Sequence, residues 1–133
     1  MTVLLVDVAN TVGARPDGWW RDRAGATTRL LARLARLPGA ELPGPDGVAV
    51  PITAIVAVVE GRARNVDAPP GVRVVRAEGS GDDALADVAA GLADGNDDLL
   101  VVTADRGLRA RLPGTARVAG PGWLLAAADR AGD

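Results

Sequence analysis

Residues 3–10 read VLLVDVAN, an apolar run that ends on a carboxylate and, three residues later, on an amide. Branched and leucine side chains without polar alternation predict a central strand that is covered on both faces. An ionised Asp7 at the end of such a strand is costly to desolvate unless something cationic compensates. We therefore predict that Asp7 lies at an open edge of a sheet, beside a ligand or a metal. The alternative is that Asp7 only caps the turn after the strand.

The composition limits the chemistry that the chain can perform. Its 133 residues fit one domain, residues 1–133, and they include neither cysteine nor histidine. Disulfides, a cysteine nucleophile, a histidine base and the usual zinc ligands are thereby excluded. Chemistry must rest on Asp, Glu, Asn, Ser, Thr and Arg, and the oxygen atoms among them are hard ligands that suit Mg²⁺ or Mn²⁺.

The charge is mildly acidic and unevenly distributed. All 15 basic residues are arginine, and the net charge is -2; residues 1–66 hold eight arginines and six acids, whereas residues 67–133 hold seven and eleven. This balance argues against a strong nonspecific duplex binder, although it allows a nucleic-acid ligand. The start of the chain lacks a basic region, and no apolar run approaches the length of about 18 residues that a membrane span needs. We expect a soluble cytoplasmic protein without a membrane partner.

Apolar runs and breaker residues predict the order of the elements. After the first strand, further strands are predicted at residues 52–59, 72–76, 99–103 and 115–118. Helices are predicted at residues 24–37, 82–93, 106–112 and 123–130, with loops at residues 11–23 and in the Pro- and Gly-rich stretch 38–51. Because strands alternate with helices and each strand is apolar throughout, the sequence predicts an α/β sandwich around a parallel sheet.

Acidic residues follow three of these strands and open one helix. Asp7, Glu60 and Asp105 come at strand ends, and Asp82 and Asp83 begin the helix that precedes the fourth strand. The carboxyl ends of parallel strands lie at one edge of a sheet, so these side chains can meet there. Grouped carboxylates repel one another unless a divalent cation lies among them, which is the arrangement that metal-assisted phosphoryl transfer uses. Whether Glu60 belongs to the set is left open.

Helix capping and a dinucleotide-binding turn are the two other interpretations of these acids. Asp82 and Asp105 stand where helix N-caps belong, and capping alone would account for each of them taken singly. Residues 79–84, GSGDDA, fit a loose dinucleotide-binding pattern between a strand and a helix. Two aspartates at that helix start would repel a pyrophosphate, so a metal-free dinucleotide site is disfavoured.

Three short motifs together resemble the PIN-like nuclease superfamily, and most closely its NYN branch. They are Asp7 with Asn10 after the first strand, SGDD at residues 80–83, and TAD at residues 103–105. The resemblance covers nearly the whole chain. It implies a three-layer α/β sandwich with a parallel five-stranded sheet in the order 3-2-1-4-5, and an acidic pocket that binds Mg²⁺ or Mn²⁺ and cuts RNA by hydrolysis.

The resemblance also implies roles for individual residues. Asp7, Asp82, Asp83 and Asp105 would be metal ligands, whereas Asn10 and Thr103 would orient them or the attacking water. The leading hypothesis is a metal-dependent endoribonuclease that hydrolyses single-stranded RNA. A metal-dependent hydrolase of small nucleotides and a non-catalytic RNA-binding or scaffold protein remain as alternatives, and the sequence leaves open whether the chain forms a homodimer.

An acidic pocket that acts on RNA needs a cationic and stacking surface close by. The loop after the first strand is the natural candidate, because it leaves the sheet beside the pocket, and two residues of the helix after Asp105 could also meet phosphate. The predicted RNA-binding residues are Arg15, Trp19, Trp20, Arg21, Arg23, Arg106 and Arg109. The alternative is that both tryptophans pack over helix ends while the arginines solvate the surface.

Overall fold

A computed structural model describes residues 2–15, 18–95 and 98–131, with Arg62 described by its backbone alone. Positions 16 and 17 of the predicted loop 11–23, and positions 1, 132 and 133 of the predicted domain, lie outside the described residues. The strands are β1 (Thr2–Asp7), β2 (Glu41–Pro43), β3 (Ala49–Val59), β4 (Val72–Arg76), β5 (Asp98–Val102) and β6 (Arg117–Ala119). The α-helices are α1 (Val8–Val12), α2 (Arg23–Leu34), α3 (Gly81–Asp94), α4 (Arg106–Arg109) and α5 (Pro121–Ala131).

The parallel strands have the order expected from the resemblance. β1 is central and pairs in parallel with β3 on one side and β5 on the other; β4 pairs with β3, and β6 with β5, also in parallel. Numbered as the five predicted strands, this is the order 3-2-1-4-5. The carboxyl ends of β1, β3 and β5 therefore lie at one edge of the sheet. The strand order reverses between β1 and β5, because later strands are added on the opposite side of β1.

The prediction of a purely parallel, five-stranded sheet is wrong, because β2 adds an antiparallel strand beside the start of β3. Residues 38–51 were expected to form a loop, but Leu42 pairs with Val50 and both side chains are buried. The connecting turn is closed by a hydrogen bond from the Gly44 N–H to the Val48 carbonyl, and Gly47 adopts φ +84° there. Burial of two apolar side chains thus outweighs the low strand propensity of the flanking prolines.

Helices cover both faces of the sheet, which gives three layers. Leu4 and Val6 of β1 point to the side on which the leucines of α2 and α5 pack. Val3 and Leu5 point to the opposite side, which α3 and α4 cover. The uninterrupted apolar run of β1 is explained by this double burial. Within the described parts of the chain, no helix is long and apolar enough to cross a membrane.

The segment after β1 is more ordered than the predicted loop. Residues 8–12 form α1 directly after Asp7, and residues 19–21 form a 3-10 turn that contains both tryptophans. Asp22 caps α2 as expected, since its carboxylate accepts a hydrogen bond of 2.9 Å from the Gly25 N–H. The 3-10 turn and α2 thereby have fixed positions beside the start of α1.

Candidate active site

Asp7 is held at the end of the central strand by two side-chain hydrogen bonds. The residue is only 7% exposed. Its Oδ1 accepts a hydrogen bond of 3.2 Å from the Asn10 N–H, and its Oδ2 accepts one of 3.0 Å from the Thr103 hydroxyl. The first bond caps α1, and the second joins β1 to the residue that follows β5. Asp7 is therefore both a helix cap and a buried carboxyl group at the predicted edge.

The electrostatic surroundings of Asp7 favour its neutral form. Burial raises the pKa of the carboxyl group, and the hydrogen bonds from Asn10 and Thr103 only partly oppose that rise. The negative charges of Glu60 and Asp105 raise the pKa of Asp7 further. These contributions show that the three acids, which follow three different strands, lie close enough to repel one another.

Asn10 and Thr103 connect the segments that surround Asp7. The side-chain Oδ1 of Asn10 accepts a hydrogen bond of 3.1 Å from the Ala104 N–H. The Thr103 hydroxyl, which donates to Asp7, also accepts one of 3.2 Å from the Asp105 N–H. Both residues thus hold α1 and the segment after β5 in a fixed relation to the Asp7 carboxyl group.

Asp105 occupies the position of a helix cap. Its Oδ1 accepts a hydrogen bond of 3.1 Å from the Leu108 N–H at the start of α4. The prediction that Asp105 caps a helix is therefore confirmed. Capping uses one oxygen atom and does not remove the charge, so Asp105 still acts on Asp7 and on Asp82.

Glu60 lies near the same acids, since its charge raises the pKa of Asp7 and of Asp82. It follows β3, and its carboxylate accepts a hydrogen bond from the Gly81 N–H at the start of α3. A Cβ atom on Gly81 would lie 2.5 Å from Glu60 Oε2, so the absence of a side chain at this position allows the close approach. The only sequence signal was the place of Glu60 after an apolar run.

Asp82 completes the group from the first turn of α3. Burial raises the pKa of its carboxyl group, and so do the charges of Asp105, Asp7 and Glu60; a hydrogen bond between Asp82 and Asp105 acts in the same direction. We refer to Asp7, Glu60, Asp82 and Asp105 as the acidic cluster.

Asp83 has different surroundings from those of its neighbour Asp82. Its carboxylate accepts a hydrogen bond of 2.8 Å from Arg111, and 70% of its side chain is exposed. Consecutive residues on a helix point roughly 100° apart, so only one of two adjacent aspartates can face the cluster directly. The ligand role predicted for Asp83 stays a prediction that requires Arg111 to release it.

The donor chemistry of the acidic cluster suits a hard divalent cation, because every candidate ligand is a carboxylate oxygen. In residues 2–15, 18–95 and 98–131, however, no three acidic side chains form a group that could hold a metal ion as they stand. Mutual repulsion of like charges opposes a closer approach of the carboxylates while no cation lies among them. Binding of a cation would require these side chains to move closer together.

The tryptophan segment lies at the surface beside this edge. Trp20 is 53% exposed, and Trp19 is half-buried; their rings meet edge to face at 88°, with centroids 6.0 Å apart. The Arg23 guanidinium lies 5.3 Å from the centroid of the Trp19 ring, and the Arg21 guanidinium lies 5.9 Å from that of Trp20. The two adjacent rings therefore have a guanidinium group on either side, and the RNA-binding role of this segment stays a prediction.

The other predicted RNA-binding residues are more dispersed. Arg15 makes an ion pair of 2.7 Å with Asp129 of α5, and Arg33 of α2 binds the same carboxylate. Arg106 and Arg109 are exposed on α4, directly after Asp105. The two α4 arginines thus follow an acid of the cluster directly. The guanidinium of Arg15 is instead ion-paired with Asp129 of α5.

Comparisons with known proteins provide evidence on the fold. No protein-family model matches the sequence, and no curated protein matches it either. The crystal structure of Rae1 (YacP) from Bacillus subtilis superposes with a TM-score of 0.73 at 18% identity, covering 99% of this chain and 76% of Rae1. This chain has the fold of Rae1. The W164L mutant of Rae1 gives a TM-score of 0.70 at 20% identity, with 99% and 77% coverage. At 18–20% identity, the likeness shows a shared fold and no more.

The hydrogen bonds of Thr103 give a first prediction. Thr103→Val leaves Asp7 Oδ2 and the Asp105 N–H without their partner, so it should lower the free energy of unfolding by about 1 to 3 kcal/mol. Urea titration measures the loss. Thr28→Val, at an exposed position of α2, is the matched control and should change stability by less than about 0.5 kcal/mol. Equal stability of the two variants would show that the Thr103 bonds do not hold the site together.

The repulsion within the acidic cluster gives a second prediction, on the metal-free protein. The pKa of Asp82 is raised above its usual value of 3.8, so the folded state binds this proton more tightly than the unfolded state does. Stability should therefore fall as pH rises from about 3.8 through the raised pKa. The Asp82→Asn variant lacks this titrating group. As pH rises through this window, the wild type should therefore lose stability relative to the variant. The free energy of unfolding is measured in chelator at a series of pH values. A difference between wild type and Asp82→Asn that stays constant across this pH range would contradict the prediction.

Proposed function

We propose that the protein is a metal-dependent endoribonuclease that hydrolyses phosphodiester bonds of single-stranded RNA. One geometric observation carries the proposal: Asp7, Glu60 and Asp105 come at the ends of three neighbouring parallel strands, and with Asp82 at the start of α3 they lie at the carboxyl edge of the sheet, where the strand order reverses. Open α/β sheets bind their ligands at this position. The three motifs that resemble the NYN branch all lie there, and we assign the chain to that branch on this basis.

The acidic cluster would hold Mg²⁺ or Mn²⁺ through its carboxylate oxygens. Bound there, a divalent cation would lower the pKa of a water molecule and neutralise charge on the phosphate. Repulsion among the acids favours this use, because a cation would relieve an unfavourable interaction that folding creates. Asp83 would contribute only after its ion pair with Arg111 opens.

Residues of the chain itself would position the reacting groups. Thr103 and Asn10 keep Asp7 in one orientation through the hydrogen bonds that join β1, α1 and the segment after β5. With histidine absent from the sequence, the proton of the attacking water would pass to a carboxylate or to a phosphate oxygen of the RNA.

RNA is the proposed substrate because stacking and cationic groups border the acidic edge. Trp20 and Arg21 are exposed in the segment before α2, and Arg106 and Arg109 are exposed on α4, directly after Asp105. Aromatic and arginine side chains of this kind stack on unpaired bases and contact phosphates. The cytoplasmic location stays a prediction from the sequence. The formation of a homodimer stays open.

The cation can be tested without any assay of activity. Mn²⁺ or Mg²⁺ should raise the melting temperature of the wild type, and at 100 times Kd the gain is about 2.7 kcal/mol. Asp82→Asn should reduce this gain, since it removes a ligand charge. Asp87→Asn, at an exposed position of the same helix, should keep it. A melting temperature that saturating divalent ions leave unchanged would count against the metal site.

Hydrolysis is tested by Asp7→Asn, which keeps the shape of the side chain and removes its charge. The variant should fold, with an unchanged far-ultraviolet circular dichroism spectrum, and should lose about 100-fold or more of its activity on a single-stranded RNA oligomer. Full activity would exclude Asp7 from the mechanism. Wild-type cleavage of free nucleotides with no cleavage of RNA would favour the small-nucleotide hydrolase, and RNA binding without any cleavage would favour a non-catalytic protein.

A further inference from the structure

A cleft of about 340 Å³ lies beside the acidic cluster. It is formed by α1, the 3-10 turn at residues 19–21, the start of α2 and the turn at residues 61–63. Its walls include the side chains or backbone of Ala9, Val12, Trp19, Arg23, Glu60 and Ala63. The lining is largely apolar, with one indole ring, one guanidinium group and one carboxylate, and this is the usual character of a small-ligand pocket.

The indole of Trp19 is fixed in position before any ligand arrives. Trp20 packs against it edge to face, and the Arg23 guanidinium lies 5.3 Å from its ring centroid. Asp22 caps α2 immediately before Arg23, which fixes the backbone from which that guanidinium projects. The aromatic wall is therefore preorganised, so a flat ligand would find its stacking surface without ordering a loop.

The cleft and the acidic cluster share a residue. Glu60 lines the cleft, and its charge raises the pKa of Asp7 and Asp82. Ala9 lines the same cleft two positions after Asp7. A ligand in the cleft would consequently have its polar end directed at the group of carboxylates.

We propose that this cleft receives one unpaired nucleobase of the RNA, from a nucleotide next to the phosphate at the acidic cluster. The inference rests on the proposed function and adds the element that selects the cleavage site. Apolar walls and an indole favour a flat, weakly hydrated ring, and the Arg23 guanidinium can stack on the same ring or meet the attached phosphate. A base that is paired within a duplex cannot enter, so the cleft requires single-stranded RNA.

The position of Trp19 distinguishes it from Trp20. Trp20 is the more exposed of the two and offers an open surface to RNA of any length. Trp19 forms the wall of a cleft whose size limits it to a single small ligand. Binding of mononucleotides therefore reports on Trp19 and the cleft, apart from any contact that a longer RNA makes with the surrounding surface.

The probes are the four nucleoside 5′-monophosphates, with ribose 5-phosphate as the base-free control, titrated in saturating Mg²⁺ and followed through the indole signals in NMR spectra. At least one mononucleotide should bind more tightly than ribose 5-phosphate. Trp19→Ala should weaken that binding by roughly 5- to 150-fold, which corresponds to about 1 to 3 kcal/mol for stacking of one base. Because Trp19→Ala could disturb the fold, a second variant fills the cleft from an exposed position.

Ala9→Met is that second variant, since Ala9 is exposed on α1 and lines the cleft. It should block the mononucleotide at unchanged stability, whereas Ala90→Met, at an exposed position of α3 outside the cleft, should bind as the wild type does. Equal affinity for ribose 5-phosphate and the mononucleotides, or unchanged binding in Ala9→Met, would overturn the proposal. Base-dependent binding by a protein that cuts no RNA would support the cleft and refute the nuclease, so the two claims can fail separately.

Discussion

The buried carboxyl group of Asp7 is the constraint around which the site is arranged. The central strand needs apolar side chains on both faces, and it ends on an acid that is 7% exposed. In the described part of the chain, hydrogen bonds from Thr103 and from the Asn10 N–H compensate the acid, and Glu60 and Asp105 lie nearby. Hydrogen bonds stabilise the charged form, but burial and the neighbouring acids outweigh them. A structure selected for stability alone has no reason to retain this arrangement, which favours a functional explanation.

Capping and ligand binding are compatible uses of the same acids. Asp7 caps α1 and Asp105 caps α4 with one oxygen atom each, and Asp7 Oδ2, which accepts a bond from the Thr103 hydroxyl, keeps a further lone pair for a cation. Glu60 bonds to the first N–H of α3, so the start of that helix is tied to the end of β3. The caps fix where the carboxylates lie, and rigid placement is what a cation site requires of its ligands. The helix starts at this edge are therefore part of the construction of the site.

The sequence predicts the parallel part of the fold because that part depends on local patterns. Largely apolar runs mark the strands β1, β3 and β5, and the resemblance provides the strand order. The β2 hairpin was missed since its stability comes from the contact of Leu42 with Val50, whereas local composition indicated only turns. The helix α1 was missed because five residues are too few to show a helical period.

The site residues likewise divide into those that the strand pattern predicts and those that depend on contacts between distant parts of the chain. Asp7, Asn10, Thr103 and Asp105 follow strand ends, so their meeting could be inferred from topology. Whether Asp82 or Asp83 faces the cluster depends on the rotation of α3, and the partner of Arg15 lies 114 positions away. Contacts of this kind have no local signal. Glu60 likewise required the start of α3 to be placed before its role became visible.

The central claim is that these carboxylates form one cation site, and anomalous diffraction from a crystal soaked in Mn²⁺ tests it most directly. The account predicts at least one manganese peak coordinated by oxygens of Asp7 and at least two of Glu60, Asp82 and Asp105, with the carboxylates closer together than in the metal-free protein. Well-occupied manganese elsewhere on the protein, with the acidic cluster empty and Asp82 still hydrogen-bonded to Asp105, would contradict it.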